Sequence, residues 1–326
     1  MNVPRRCLLI ALPAALLLCA GLDARAQAYP LKPIRLIVAD AAGGAPDQLG
    51  RALAGKLAES LGQQVVVDNR PGAAGALGAD IAARSPADGY TLLLTTTSIY
   101  AILPSLKRNL AYDPVRDFVP ISRIASASNV LVVNASLPVR SVGELVALAR
   151  SKPGVLNYAS AGVGSPAHLA GEMLNLLAGI KLTHVPYKGA APALLDVIAG
   201  SAQLIITSPI SAGGHMKTGR VRALAVTGSE RNPSLPDLPT IAETVPGYEI
   251  SQSWGIVAPA GTPAATVKRL SDAILAAMNQ PDMREQVSRT GAVPAGDPAE
   301  AFQAFMAKER QRLQDVITKT GIVLAD

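Results

Sequence analysis

Side chains able to do chemistry are sparse in this sequence. Three histidines, His168, His184 and His215, lack the spacing of a metal-binding set. Both cysteines, Cys7 and Cys19, fall within the first twenty residues. Ser165 and His168 offer a nucleophile beside a base, the raw material of an exported hydrolase. The segment Gly162-Val163-Gly164-Ser165-Pro166 nevertheless lacks the G-x-S-x-G register that exposes a serine on a strand-to-helix elbow. Gly162, Gly164 and Ala167 fit the G-x-G-x-x-A pattern of a dinucleotide turn, but Pro166 interrupts it and no acid follows at the distance that holds a ribose. No Walker motif occurs. No catalytic residue, cofactor or metal is therefore expected.

A different feature recurs: apolar runs end in small-residue turns that feed helix starts. They are Gly43-Gly44-Ala45-Pro46-Asp47, Asn69-Arg70-Pro71-Gly72-Ala73-Ala74-Gly75, Thr95-Thr96-Thr97-Ser98, Ser160-Ala161-Gly162-Val163-Gly164-Ser165-Pro166 and Thr207-Ser208-Pro209. Each helix start offers unpaired N–H groups and the positive end of the helix dipole, so each is a potential anion cradle. Gly and Pro also punctuate strand-to-helix connections that bind nothing. Asp47 either stabilises its helix N-terminus or orders a ligand's polar group. His168 either donates to a bound carboxylate or is a satisfied helix-end histidine.

The elements that must position these turns follow from hydropathy. Continuous apolar runs at Ile34 to Ala39, Val65 to Asp68, Thr91 to Thr95, Asn129 to Val133, Leu204 to Thr207, Val221 to Thr227 and Gly255 to Ala258 read as buried strands of parallel sheets. Between them lie helix signals: Leu49, Leu53, Leu57 and Leu61 on one face before Gly62, and a Ser141/Glu144 capping box. Thr262-Pro263 and Asp297-Pro298 open two later helices. The alternation predicts an α/β fold of βαβ units. Proline-punctuated stretches at Asp113 to Pro120 and Asn232 to Pro239 are expected near crossings between two lobes.

Arg5 and Arg6, the apolar run Cys7 to Leu22 and the small residues up to Ala28 have the grammar of a secretory leader, residues 1–28, with cleavage expected after Ala28. The run is shorter than the roughly 20 residues that span a bilayer. Leu18 stands where a small residue should precede a lipidated cysteine. The remaining 298 residues carry a net charge of +4, spread along the length, and contain no cysteine. Disulfide frameworks and cysteine metal sites are thereby excluded, and no basic run reads as a nucleic-acid surface. Export without disulfides suits a bacterial periplasm. One Trp and three Phe disfavour a stacking cage for aromatic acids.

Several segments together resemble the Bug receptors, the periplasmic solute-binding proteins of tripartite tricarboxylate transporters. They are Tyr29-Pro30-Leu31-Lys32-Pro33-Ile34, Gly43-Gly44-x-x-Asp47, Asn69-Arg70-Pro71-Gly72-Ala73, Ala87-Asp88-Gly89-Tyr90-Thr91, Gly164-Ser165 to His168-Leu169-Ala170-Gly171-Glu172, His184-Val185-Pro186-Tyr187-Lys188-Gly189 and Trp254-Gly255 with Ala258-Pro259-Ala260-Gly261-Thr262-Pro263. The resemblance implies a two-lobed Venus flytrap of the type II-like class with two crossings. Residues 29–126 and 254–326 would form one lobe and 127–253 the other. It implies a monomer that takes a small carboxylate or dicarboxylate, with a membrane transporter or a sensor kinase as partner. The binding residues it implies are Gly44, Ala45, Asp47, Ala73, Thr97, Ser98, Ser160, Gly164, Ser165, His168 and Ser208, whereas Trp254 and Tyr187 would pack. This sequence departs from the family at Val38-Ala39-Asp40-Ala41-Ala42, where an aromatic or proline-bearing segment is usual. Asp40 either faces solvent or places a carboxylate at the cleft mouth.

Overall fold

Ile34, Leu36 and Val38 are buried on one side of the first strand, β1 (Ile34–Val38), and Ile37 on the other. Both faces are covered, which is why the run is continuously apolar. The structure, a computed structural model, describes residues 29–321 except 108 and 188. The expected leader and its cleavage site lie outside the described residues.

Strands and helices are numbered in chain order. The first sheet contains β1, β2 (Val65–Asn69), β3 (Thr91–Thr96), β4 (Phe118–Ser128), β10 (Ser251–Pro259) and β11 (Val293–Asp297), in the order β11-β4-β10-β3-β1-β2. The second contains β5 (Val130–Asn134), β6 (Asn157–Ser160), β7 (Thr183–Pro186), β8 (Leu204–Thr207) and β9 (Val221–Val226), in the order β7-β6-β8-β5-β9. Parallel sheets were expected; both are mixed. β10 runs antiparallel to β3 and β4, and β5 antiparallel to β8 and β9. The antiparallel members are the strands by which the chain passes between sheets, so they enter without the helical crossover that a parallel neighbour requires.

On the first sheet, α1 (Ala45–Leu61) and α8 (Ala264–Met278) share a core with Ile34, Leu36 and Val38, with α9 (Pro281–Arg289) beside them. The other face carries α2 (Ala76–Ala83), the short α3 (Leu103–Leu106) and the long α10 (Ala299–Thr320). On the second sheet, α4 (Val142–Ser151) and α5 (Pro166–Ala178) cover Leu131, Val133 and Leu204. Its opposite face holds α6 (Ala190–Ala199) and α7 (Pro209–Lys217) over Val130, Val132 and Ile205. Helix α1 begins with Pro46 in its first turn and stops at Gly62, whose left-handed backbone (φ 69°) returns its N–H to Ala58 O at 3.1 Å. At α4, Ser141 Oγ accepts from the Glu144 N–H at 3.1 Å, while the Glu144 carboxylate accepts from the Arg140 N–H, one residue before the cap. No helix of the described residues is long and apolar enough to cross a membrane.

The two sheets meet at a small polar clasp. The chain leaves the first sheet at Ser128 and enters the second at Val130; it comes back at Ser251. Between these passages, Thr227 Oγ1 accepts from the Asn129 N–H at 2.8 Å and donates to Ile250 O at 2.6 Å. The Thr227 backbone accepts from the Ile250 N–H and donates to Asn129 O. Thr227 is fully buried, so these four bonds replace water that cannot enter. Helix α10 adds a further tie, since Arg312 donates from Nη1 to Glu249 O at 2.7 Å.

Candidate functional site

Strand direction decides which turns share an edge. β1, β2 and β3 are parallel, and β10, antiparallel to β3, starts at Ser251 just after the chain returns. The carboxyl ends of β1, β2 and β3 therefore lie at the crossing end of the first sheet. In the second, Thr207 at the end of β8 pairs with Val130, the first residue of β5, and β6 and β7 run parallel to β8. Their carboxyl ends lie at the crossing end too. All five small-residue turns are thus gathered on the two sheet edges that adjoin the crossings, where open α/β sheets bind ligands.

The first turn is already supplied with anions. Gly44 is the extended N-cap of α1 and Ala45 its first residue. Asp47 is buried, and both its oxygens are used: Oδ2 accepts from the Gly43 N–H at 2.8 Å and Arg51 Nε at 3.0 Å, and Oδ1 from Asn69 Nδ2 at 2.9 Å. Burial pushes the Asp47 carboxyl up, but these three donors outweigh it and hold the group below the usual carboxylate range. Asp47 braces the turn from within. Asp40 is exposed, with Oδ1 accepting from the Ala41 N–H at 2.7 Å.

The second turn has an unusual backbone. Gly72, Ala73, Ala74 and Gly75 have φ of 136°, 48°, 56° and 98° in succession. Two alanines in the left-handed region cost about 1–2 kcal/mol each. Both are exposed, so no side-chain burial offsets the strain. In the third turn the Thr97 hydroxyl is committed internally, accepting from the Ser253 N–H at 2.9 Å within a buried group that includes Tyr100 OH. Ser98, next along and 5% exposed, has a hydroxyl without a partner among the described residues. Trp254 and Tyr187 do pack: Trp254 is buried, and the Tyr187 hydroxyl donates to Asp196 at 2.7 Å.

The fourth turn is the most organised. Ser160 Oγ accepts from the Gly162 N–H at 3.1 Å and lies 2.7 Å from His184 Nε2. Ser165 caps α5, its hydroxyl accepting from the His168 N–H at 3.3 Å. The Gly164 N–H donates to His168 Nδ1 at 3.2 Å, which places the imidazole proton on Nε2. Ser165 Oγ and the His168 ring therefore make no nucleophile–base bond. The fifth turn repeats the cap, with Ser208 Oγ accepting from the Ser211 N–H at 3.3 Å at the start of α7. Neither α5 nor α7 has an acid in its first turn, in contrast to α1.

Ser160, Gly164, Ser165 and His168 thus form one connected cluster, and Gly44, Ala45 and Asp47 another. Ala73 and Ser98 border each other through Gly75, where a Cβ would meet Ile99 Cγ1 at 2.9 Å. Ser208 stands apart from these bonds. Sequence reasoning missed His184 and Tyr158. His184 lies at the second position of a four-residue strand; its one sequence signal was its place in the family-like segment His184 to Gly189, and only the pairing of β7 with β6 sets it opposite Tyr158. Among the described residues no group of three or more His, Cys, Asp and Glu could hold a metal ion.

The sequence model of the tripartite tricarboxylate transporter family receptor matches residues 49–322. The chain belongs to that receptor family. Protein BugT of Bordetella pertussis is 36% identical over 99% of this chain and 100% of its own length. An R. palustris protein solved with adipate is 38% identical, covers 90% of this chain and 99% of its own, and superposes with a TM-score of 0.85. MatC of Rhodopseudomonas palustris, solved with bound malate, is 29% identical, covers 89% of this chain and 99% of its own, with a TM-score of 0.81. The receptor shares the two-lobed α/β architecture of these tripartite tricarboxylate transporter family proteins.

Proposed function

We propose that this receptor captures a small organic carboxylate in the cleft between a lobe of residues 29–126 and 254–326 and a lobe of 127–253, and presents it to a membrane transporter. The reading rests on one observation: the five turns converge on the crossing edges of both sheets, in a fold whose relatives were solved with adipate and malate. Backbone N–H groups at Ala45 and Ala73, with Ser98, serve one side, where the Gly44 N–H closes the turn onto Ala41 O. Ser208 and the His168 Nε2–H serve the other, with Gly164 orienting the imidazole, and there α5 and α7 bring no competing acid. Asp47, Thr97, Ser160 and Ser165 hold these donors in place through the bonds described above. Asp40 on the first turn disfavours a second anionic group beside it. No turnover is proposed, since the family is one of receptors. A periplasmic location is supported by the leader expected from the sequence and by a relative named as a periplasmic binding protein.

Native mass spectrometry and calorimetry of the leaderless protein against malate, adipate, succinate, citrate, aspartate and glutamate test this. Saturable one-to-one binding of at least one member, without product, is expected. Asp40→Ala is expected to shift the ranking towards the dianions by about threefold, the Coulomb effect of one charge at about 6 Å in water. Failure of the whole panel to bind, or product formation lost in Ser165→Ala, rejects the proposal.

A further inference from the structure

Behind the fourth turn three rings are piled face to face. Tyr158 and His184 have centroids 4.9 Å apart at 23°, and His184 and His168 4.1 Å apart at 16°. Each is pinned at its edge. The Tyr158 hydroxyl donates to Glu172 at 2.5 Å, His184 Nε2 meets Ser160 Oγ, and His168 Nδ1 accepts from the Gly164 N–H. Tyr158 is held from the other side by Gly171, where a Cβ would collide with its ring. His168 Nε2–H has no acceptor among the described residues, and it is not sealed off from solvent.

Two imidazoles stacked at 4.1 Å cannot both be cations. We propose that a captured carboxylate draws a solvent proton onto His168, which is the neutral Nε2–H donor in the empty receptor, while the stacked His184 ring stays neutral. The bond formed is a new N–H at His168 Nδ1, which takes a proton from solvent and gives up the hydrogen bond from the Gly164 N–H; Nε2–H turns into a charge-assisted donor to the ligand. The inference rests on the reading that His168 touches the ligand. The titratable groups around the pair are Tyr158 from β6, His184 from β7 and Glu172 on α5 itself. Strand β8 brings none, and Arg312 of α10, which packs on α5, is engaged with Glu309 and Glu249 O. Burial pushes His168 down while Glu172 pulls it up; burial and then the His168 charge push His184 down to about 4. A ligand carboxylate adds a second upward pull on His168. Its liganded value then exceeds its free value, so affinity rises as pH falls from above the first to the second, and is level outside that window.

The test is the dissociation constant of the tightest member of the same panel between about pH 6 and pH 8, corrected for the acid's own protonation in that range. Calorimetry in buffers of different ionisation enthalpy reads proton uptake directly on the unmodified receptor. About three- to tenfold tightening towards pH 6, with fractional uptake of a proton, is expected. His168→Gln keeps a donor and should give a flat profile. Binding that is independent of pH and takes up no proton overturns the proton coupling while leaving carboxylate capture intact. A panel that does not bind at all overturns capture, and this inference with it.

Discussion

A buried carboxylate in a ligand-facing turn invites a binding role, yet at Asp47 every lone-pair direction in use points at the protein's own donors. An amide in its place has one acceptor oxygen instead of two and no charge for Arg51, and its NH2 faces one of the protein's own donors, so Asp47→Asn is expected to lower stability by about 1–3 kcal/mol near neutral pH. The folded-state carboxyl is held below its unfolded value, so its contribution is complete above the unfolded value and is lost as pH falls through the folded one. Urea unfolding should show a constant difference between the variant and the unmodified protein from about pH 8 to pH 5, shrinking below about pH 4. A difference that persists undiminished in acid would contradict the ion-pair account. The sequence left Asp47 between two roles because spacing places it on the first turn of α1 but says nothing of Arg51 and Asn69 reaching it. His168 was undecided for a related reason: its tautomer depends on the Gly164 N–H, and that depends on how the turn folds back.

Among elements, those with strong periodicity were legible and those shaped by partners were not. The runs at Ile34, Thr91 and Leu204 became β1, β3 and β8 within a residue or two, because burial on both faces leaves an uninterrupted apolar signature. Strand β4 was hidden. Its sequence mixes Ser, Ala and Arg with apolar residues, and Pro120 argues against a strand flanked on both sides. The sheet accommodates that proline at an irregularity in pairing with β10, between Ile256 and Val257. The left-handed run Gly72 to Gly75 was equally hidden, since two alanines do not announce positive φ. Ala74→Gly removes its strain but loosens the unfolded chain, and should stabilise the fold by up to about 1 kcal/mol. Ala74→Val should destabilise it by more than that. Thermal unfolding of both variants measures the effect; a Val variant as stable as the Gly variant would mean that the loop relaxes out of the left-handed region.

For the molecule as a whole, the α/β class and the two lobes could be read from alternation and length, and the family resemblance anticipated the receptor family. The mixed direction of the sheets could not, because no local pattern says that the strands leaving one lobe enter the other. At that passage four hydrogen bonds meet on one residue. Thr227→Val keeps the shape but removes the acceptor for the Asn129 N–H and the donor to Ile250 O, and should cost about 1–3 kcal/mol. Thr227→Ser, which keeps the hydroxyl, should recover most of the loss in denaturant unfolding. Equal stability of the Val variant would show that water satisfies the freed groups.

The clasp also bears on the entropy of capture. Because one side chain is bonded to both connecting segments, a rotation about the line through Asn129, Thr227 and Ile250 is expected to be the soft direction of the joint. A joint with one soft direction loses little conformational freedom when a ligand arrests it. If the proposed cleft is lined chiefly by backbone donors, such a joint would let more of the interaction with a small carboxylate be retained as affinity.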